Sequence, residues 1–134
     1  MSGEVSDETL RHFFADAPAE LCAVYLYGSR ARGTATDRSD LDVALLYRET
    51  PPATLSGLPL DLEAKLERVI DLPAQAVVLN SAPPDLVHRI LRDGKLVLDR
   101  DPGRRIRFEV KARNEFFDLQ PVLTRYRAVR SPAR

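Results

Sequence analysis

YGSRARGTATDRSDLD, Tyr27 to Asp42, decides how the rest of the chain is read. It opens with a Gly-Ser pair, passes two arginines and a second glycine, and closes on Asp40 and Asp42, two residues apart. The apolar run Leu21 to Tyr27 before it predicts a buried strand, and Asp40 to Tyr47 after it predicts a second. Side chains two apart on a strand share a face, and a rise of about 3.3 Å per residue sets their Cα atoms about 6.5 Å apart. Leu41, Val43 and Leu45 then point into the core, while Ala44 and Leu46 continue the aspartate face. Two adjacent acids repel unless a cation or strong donors compensate, and Mg²⁺ with phosphate oxygens is the natural partner.

Gly28-Ser29 falls where the first strand ends. Glycine lets the backbone turn sharply and approach a ligand, and the amides beyond it, with the Ser29 hydroxyl, can donate to phosphate. Arg30 and Arg32 add positive charge. A strand end, a tight donor loop and two carboxylates on the next strand together make a bed for Mg²⁺-triphosphate. Other phosphate and cation motifs fail on spacing. Gly28 and Gly33 have the gap of a Walker A loop, but Thr34-Ala35 stands where Lys-Ser/Thr is required. An EF-hand would need a ligand at Leu41 and a glycine at Asp42.

With 134 residues the chain has room for one domain, residues 1–134, and a proper core. No apolar run is long enough to span a membrane, and Met1 to Thr9 lacks a signal-peptide pattern, so the reading is cytoplasmic. The single cysteine, Cys22, lies inside an apolar run and reads as an inert buried thiol. Net charge is zero but uneven: residues 1–103 hold 11 Lys+Arg against 17 Asp+Glu, and 104–134 hold 9 against 3. The basic C-terminal segment reads first as a solvated helix face with an Arg-rich tail (Arg125, Arg127, Arg130, Arg134). The other reading is a docking surface for an acidic protein or RNA.

The remaining chain alternates helices and strands. Ser6 caps a helix over about Asp7 to Asp16, and RETPPATLSG is a loop. A helix runs from about Pro59 to Ile70, followed by a strand over Ala74 to Leu79. A further helix opens at Ser81-Pro83-Pro84 and stops at Asp93-Gly94, with a short strand Lys95 to Asp99 beyond it. Asp101-Pro102 starts a last helix expected to reach Leu119 and stop before Pro121. The fold class expected is α/β (α+β), a small mixed sheet of about four strands flanked by helices. His12 and His88 read as surface or capping residues. Asp61, Glu63, Lys65 and Glu67 read as a solvated helix face.

Gly28-Ser29-x-Ala31-x-Gly33 followed by Ser39-Asp40-x-Asp42 resembles the signature of the polymerase-β-like nucleotidyltransferases. The GSRARG form in so short a chain is similar to the minimal MNT type, antitoxin partners of HEPN ribonuclease toxins. VVLNSAPPDL (Val77 to Leu86) and ILRDGKLVL (Ile90 to Leu98) extend the likeness over roughly Leu21 to Leu98. The resemblance implies the polymerase-β-like fold, ATP as substrate and Mg²⁺ as cofactor. Gly28, Ser29, Arg30, Arg32, Gly33 and Ser39 would serve the nucleotide, and Asp40 and Asp42 the metal and catalysis.

The family also carries a third carboxylate, on a strand of the form V-D-L-V-D-L-N. That strand aligns with Ala74 to Asn80, so Gln75 occupies the acid's position as a third metal ligand. An amide oxygen can ligate but cannot take a proton from a hydroxyl. Two functions stay open on this basis. One is AMP transfer from ATP to a hydroxyl of the toxin, which the resemblance suggests is a tyrosine; the other is a weakened or inactive relative that neutralises the toxin by binding.

Overall fold

The two central strands are buried on both faces, which is why the sheet needs helices on both sides. A computed structural model describes residues 6–33, 40–51 and 57–130, with side chains except at Arg32, 57–60 and 119–130. The elements are α1 (Asp7–Phe14), β1 (Leu21–Tyr27), α2 (Ser29–Arg32), β2 (Leu41–Tyr47), α3 (Gly57–Ile70), β3 (Ala74–Val78), α4 (Pro84–Asp93), β4 (Lys95–Asp99) and α5 (Pro102–Arg130). The order across the sheet is β3-β2-β1-β4. β1 runs antiparallel to both β2 and β4, and β2 runs parallel to β3, so the expected four-stranded mixed sheet is what forms.

Alternation along β2 sorts the core into two layers. Leu41, Val43 and Leu45 pack with Val24 and Leu26 of β1, with Leu10 and Phe14 of α1, and with Leu66 of α3. Ala44 and Leu46 face the other way, against Ala23, Tyr25, and Val87 and Ile90 of α4. Ser6 caps α1 as expected, its Oγ accepting from Thr9 N at 3.1 Å. Cys22 is buried, its thiol donating to the Glu20 carbonyl at 3.6 Å.

The end of α5 differs from the sequence expectation. The helix passes through Pro121 and continues to Arg130. A proline removes one backbone donor and costs roughly 3 kcal/mol, but does not stop a helix whose next residues keep helical torsions. Arg125, Arg127 and Arg130 therefore belong to the helix rather than to a tail, while Arg134 lies outside the described residues. Nor is the segment's charge all free for a partner. Arg104 donates to the carbonyls of Arg48 and Tyr47, and Arg105 pairs with Asp99 and Glu109.

Glu63 and Glu67 are also more than a solvated face. β3 is an edge strand, and its outward N–H groups would otherwise be open for pairing with another chain. Glu63 accepts from Ala76 N at 2.6 Å and Glu67 from Ala74 N at 2.8 Å, so α3 covers that edge. Past Val78 the Asn80 side-chain amide takes over, bonding both the N–H and the C=O of Tyr47 at 2.9 Å.

A second polar link ties α5 to the sheet at β1. The Tyr25 hydroxyl donates to Glu109 at 2.6 Å, and Arg105 bridges Glu109 (3.1 Å) and Asp99 (2.9 Å). Burial and the Glu109 carboxylate push the Tyr25 hydroxyl well above its ordinary pKa, so it stays a donor. Glu109→Ala is expected to cost about 2 kcal/mol, because it strands the buried hydroxyl and half-unpairs Arg105. Urea denaturation followed by far-UV circular dichroism measures it; an unchanged midpoint would mean the link is not structural.

Candidate active site

Asp40, Asp42, Gly28 and Gln75 meet at one end of the sheet, where β1 finishes and β2 and β3 begin. Register does the work: Asp42 pairs with Tyr27 on β1 and with Gln75 on β3. Laterally paired residues project to the same side, so Tyr27, Asp42 and Gln75 form a row across three strands. The row lies on the face that Ala44 and Leu46 occupy deeper in the sheet. Gln75 is exposed, and Asp40 and Asp42 are half-buried.

The Gly28-Ser29 bend is tighter than a plain loop. Gly28 has φ +78°, and Ser29 to Arg32 make a single helical turn that Gly33 closes in the left-handed conformation at φ +77°. A Cβ at Gly28 would overlap Oδ2 of Asp42, so backbone and carboxylate touch here because residue 28 has no side chain. At Gly33 an added Cβ meets open space, and glycine is needed there for its torsion alone. Ser29 and Arg30 are half-buried in the turn. The Arg32 side chain and all of Ser39 lie outside the described residues, as do Thr34 to Asp37 and Arg38.

Electrostatics matches the geometry. The carboxyl of Asp42 is raised above its ordinary pKa, first by burial and then by the charge of Asp40. The Tyr27 hydroxyl is raised by burial and by Asp42, with Glu63 adding to the rise and Arg89 opposing it. Among the described residues no three His, Cys, Asp or Glu side chains converge. The donor set is thus the aspartate pair with the Gln75 amide beside it. A carboxylate pair, with Asp42 raised in proton affinity, beside a backbone cradle a Cβ would fill, fits a hard divalent cation.

A stability test follows from the sign of that shift. An acid whose folded pKa is raised stabilises the fold only while protonated, and that contribution disappears as pH rises through the folded value. At neutral pH ionised Asp42 therefore weakens the cation-free fold. Asp42→Asn is expected to melt higher than the wild type at neutral pH and equal to it below the ordinary Asp value of 3.8. Mg²⁺ should raise the wild-type midpoint and leave that of the variant where it was. A variant less stable at neutral pH would refute the burial-and-repulsion account.

Other polar residues fall elsewhere. His12 is exposed on α1, and His88 stacks on Phe116 of α5 with ring centroids 3.8 Å apart, joining two helices. Asp71 adopts φ +60° just past α3 and is exposed, a turn residue. A groove of about 820 Å³ between α1 and α3, lined by His12, Phe13, Leu62 and Lys65, lies on the opposite face from Asp42 and holds none of the expected site residues. Sequence reasoning passed over Arg89, an exposed residue of α4 whose charge reaches Tyr27. Its only signal was an arginine in a segment already marked by likeness to nucleotidyltransferases.

Comparison with known proteins bears on the same residues. The family model described as "Polymerase beta, Nucleotidyltransferase" matches residues 8–103. No curated protein matches the chain. Among solved structures, a toxin–antitoxin with AMP-PNP is 24% identical, covers 91% of this chain and 95% of its own, and superposes with TM-score 0.78. The tri-AMPylated Shewanella oneidensis HEPN toxin in complex with MNT antitoxin contains a chain 22% identical, with TM-score 0.71 and coverages of 90% and 91%. A MntA-HepT toxin–antitoxin gives 22% identity, TM-score 0.69, and coverages of 90% and 92%. At these identities the likeness establishes the fold.

Proposed function

Because the chain belongs to the polymerase-β nucleotidyltransferase family, we propose that residues 1–134 act as one cytoplasmic domain that transfers AMP from ATP to a hydroxyl, a tyrosine's, on a partner HEPN ribonuclease toxin. It would thereby serve as the antitoxin. The observation that carries the reading is the contact between the Gly28 backbone and Asp42, with Asp40 beside it: a phosphate-binding bend set directly against a carboxylate pair. Solved chains of like fold come from a toxin–antitoxin with AMP-PNP and from a complex with a tri-AMPylated HEPN toxin, which supports both the nucleotide and the acceptor.

The chemistry is in-line displacement at the α-phosphorus. The acceptor oxygen forms a bond to phosphorus, the bond to the bridging oxygen of the β-phosphate breaks, and pyrophosphate leaves. Gly28, Ser29 and the amides of α2 bind the phosphates and hold them against water-driven reorientation. Asp40 and Asp42, with the Gln75 amide oxygen at hand, would hold Mg²⁺, which supplies neutralisation of phosphate charge when bound. Gln75 cannot take the acceptor's proton, which goes to solvent, to a phosphate oxygen or to one of the paired carboxylates.

Gln75 favours a second reading on this one point: a slow or silent relative that neutralises its toxin by binding alone. Incubating the chain with ATP, Mg²⁺ and its HEPN partner, then measuring the partner's intact mass, separates the two. A gain of one or more AMP units supports transfer. An unmodified toxin that is nonetheless inhibited supports binding.

A further inference from the structure

Helix α5 has an inner and an outer face. Arg105, Phe108, Glu109, Ala112 and Phe116 turn inward and are partly buried against β1, β4 and α4. On the outer side Ile106, Val110 and Phe117 stand 50%, 49% and 61% exposed. At about 100° per residue these three lie within about 40° of one another, so they form one apolar stripe. A second stripe runs beside it, about 90° further round: Arg107, Lys111, Asn114 and Asp118, all exposed. A groove of about 530 Å³ is lined by residues of both stripes.

The salt bridges of α5 belong to its inner side and border, where Arg105 pairs with Asp99 and Glu109, and Arg113 reaches Glu109. Among the described residues Arg107, Lys111 and Asp118 form none. Arg107 leans back to Gly103, where its charge reaches Asp101, and turning it outward takes only rotation of an exposed side chain.

Both stripes share one centre. Arg107 and Asp118 lie equally far from the point between Ala112 and Arg113, as do Lys111 and Asn114. Phe117, taken through the same point, falls opposite position 108, halfway between Ile106 and Val110. A second copy of the helix laid antiparallel about a twofold axis there sets Arg107 against Asp118 twice. It also drops each Phe117 between Ile106 and Val110 of the other copy. That axis keeps each flank on its own side, so apolar stripe meets apolar stripe and charged stripe meets charged stripe. Parallel helices would instead set Arg107 on Arg107 and Asp118 on Asp118.

We propose that the outer face of α5 binds a second copy of this chain, helix against antiparallel helix, centred between Ala112 and Arg113. Three apolar residues per copy put the patch at the small end of specific interfaces, so the dimer is reversible and concentration-dependent. The pairing leaves the Tyr25 link to Glu109 in place, and it does not depend on nucleotidyl transfer.

Sedimentation equilibrium of the full chain, carried to about 1 mM so that even a millimolar Kd registers, tests this. The wild type should approach twice the chain mass. Arg107→Asp and Asp118→Arg, each alone, should weaken association by about 10-fold or more, since each sets like charges opposite one another twice. Mixing the two variants should restore it, because every charge in the mixed pair then meets its opposite. Two misfolded chains would not rescue each other, so the mixture separates pairing from folding. A dimer indifferent to both charge variants, or variants that the mixture fails to rescue, overturns the antiparallel pairing. A wild type that stays monomeric overturns the proposal outright; if Phe117→Ser then loses a co-purified HEPN toxin, the face belongs to that partner instead.

Discussion

Gln75→Asp is expected to raise the rate of AMP transfer to the toxin by about 10²–10⁴-fold, the range a positioned general base contributes. The register supplies the reason. Gln75 is the lateral neighbour of Asp42 on a parallel strand, on the same face, and exposed to an incoming acceptor. An aspartate there needs no backbone change, and Ala74 and Ala76 on either side point to the opposite layer or its edge. The substitution also adds a third negative charge beside Asp42, whose proton affinity is already raised by burial and by Asp40. The variant should therefore lose stability without Mg²⁺ and regain it with Mg²⁺. Timed intact-mass spectra of the toxin read the rate. No gain, in a variant that still binds ATP, would mean that proton removal at this position does not limit the reaction.

Asp40→Ala with Asp42→Ala should cut transfer by more than the roughly 10–100-fold that losing an outer-shell partner of a metal costs, since both would be direct ligands. Both aspartates are only half-buried, and ionised Asp42 weakens the cation-free fold, so the doubly substituted chain should fold and still bind its toxin. Co-purification and ribonuclease assays then separate chemistry from docking. If the toxin is released from inhibition while the complex persists, neutralisation depends on the transferred AMP. Were inhibition to survive intact, binding alone would be the antitoxin mechanism and the acid pair a vestige.

Strand positions were readable because short apolar runs bounded by turn residues leave little choice. Leu21 to Tyr27 and Lys95 to Asp99 form as read, and β3 stops one residue short of Leu79, where a helical turn begins. The aspartate face of β2 followed from period-two alternation, and the break at Asp93-Gly94 from the same turn chemistry. Pro121 misled because its local cost was weighed without the long helix around it. Glu63 and Glu67 read as solvent-facing because one sequence does not say which strand lies at a sheet edge.

From the order of residues alone came the acid pair and the glycine bend, since each depends on spacing within a few residues, while the place of a third carboxylate came only from the likeness to the nucleotidyltransferases. Tertiary structure decided the rest. Only the pairing of β1, β2 and β3 sets Tyr27, Asp42 and Gln75 side by side. Tyr25 and Glu109, likewise, meet across 84 positions of chain. Contacts of that range depend on which faces pack together, a property of the whole sheet and its helices that no local stretch contains.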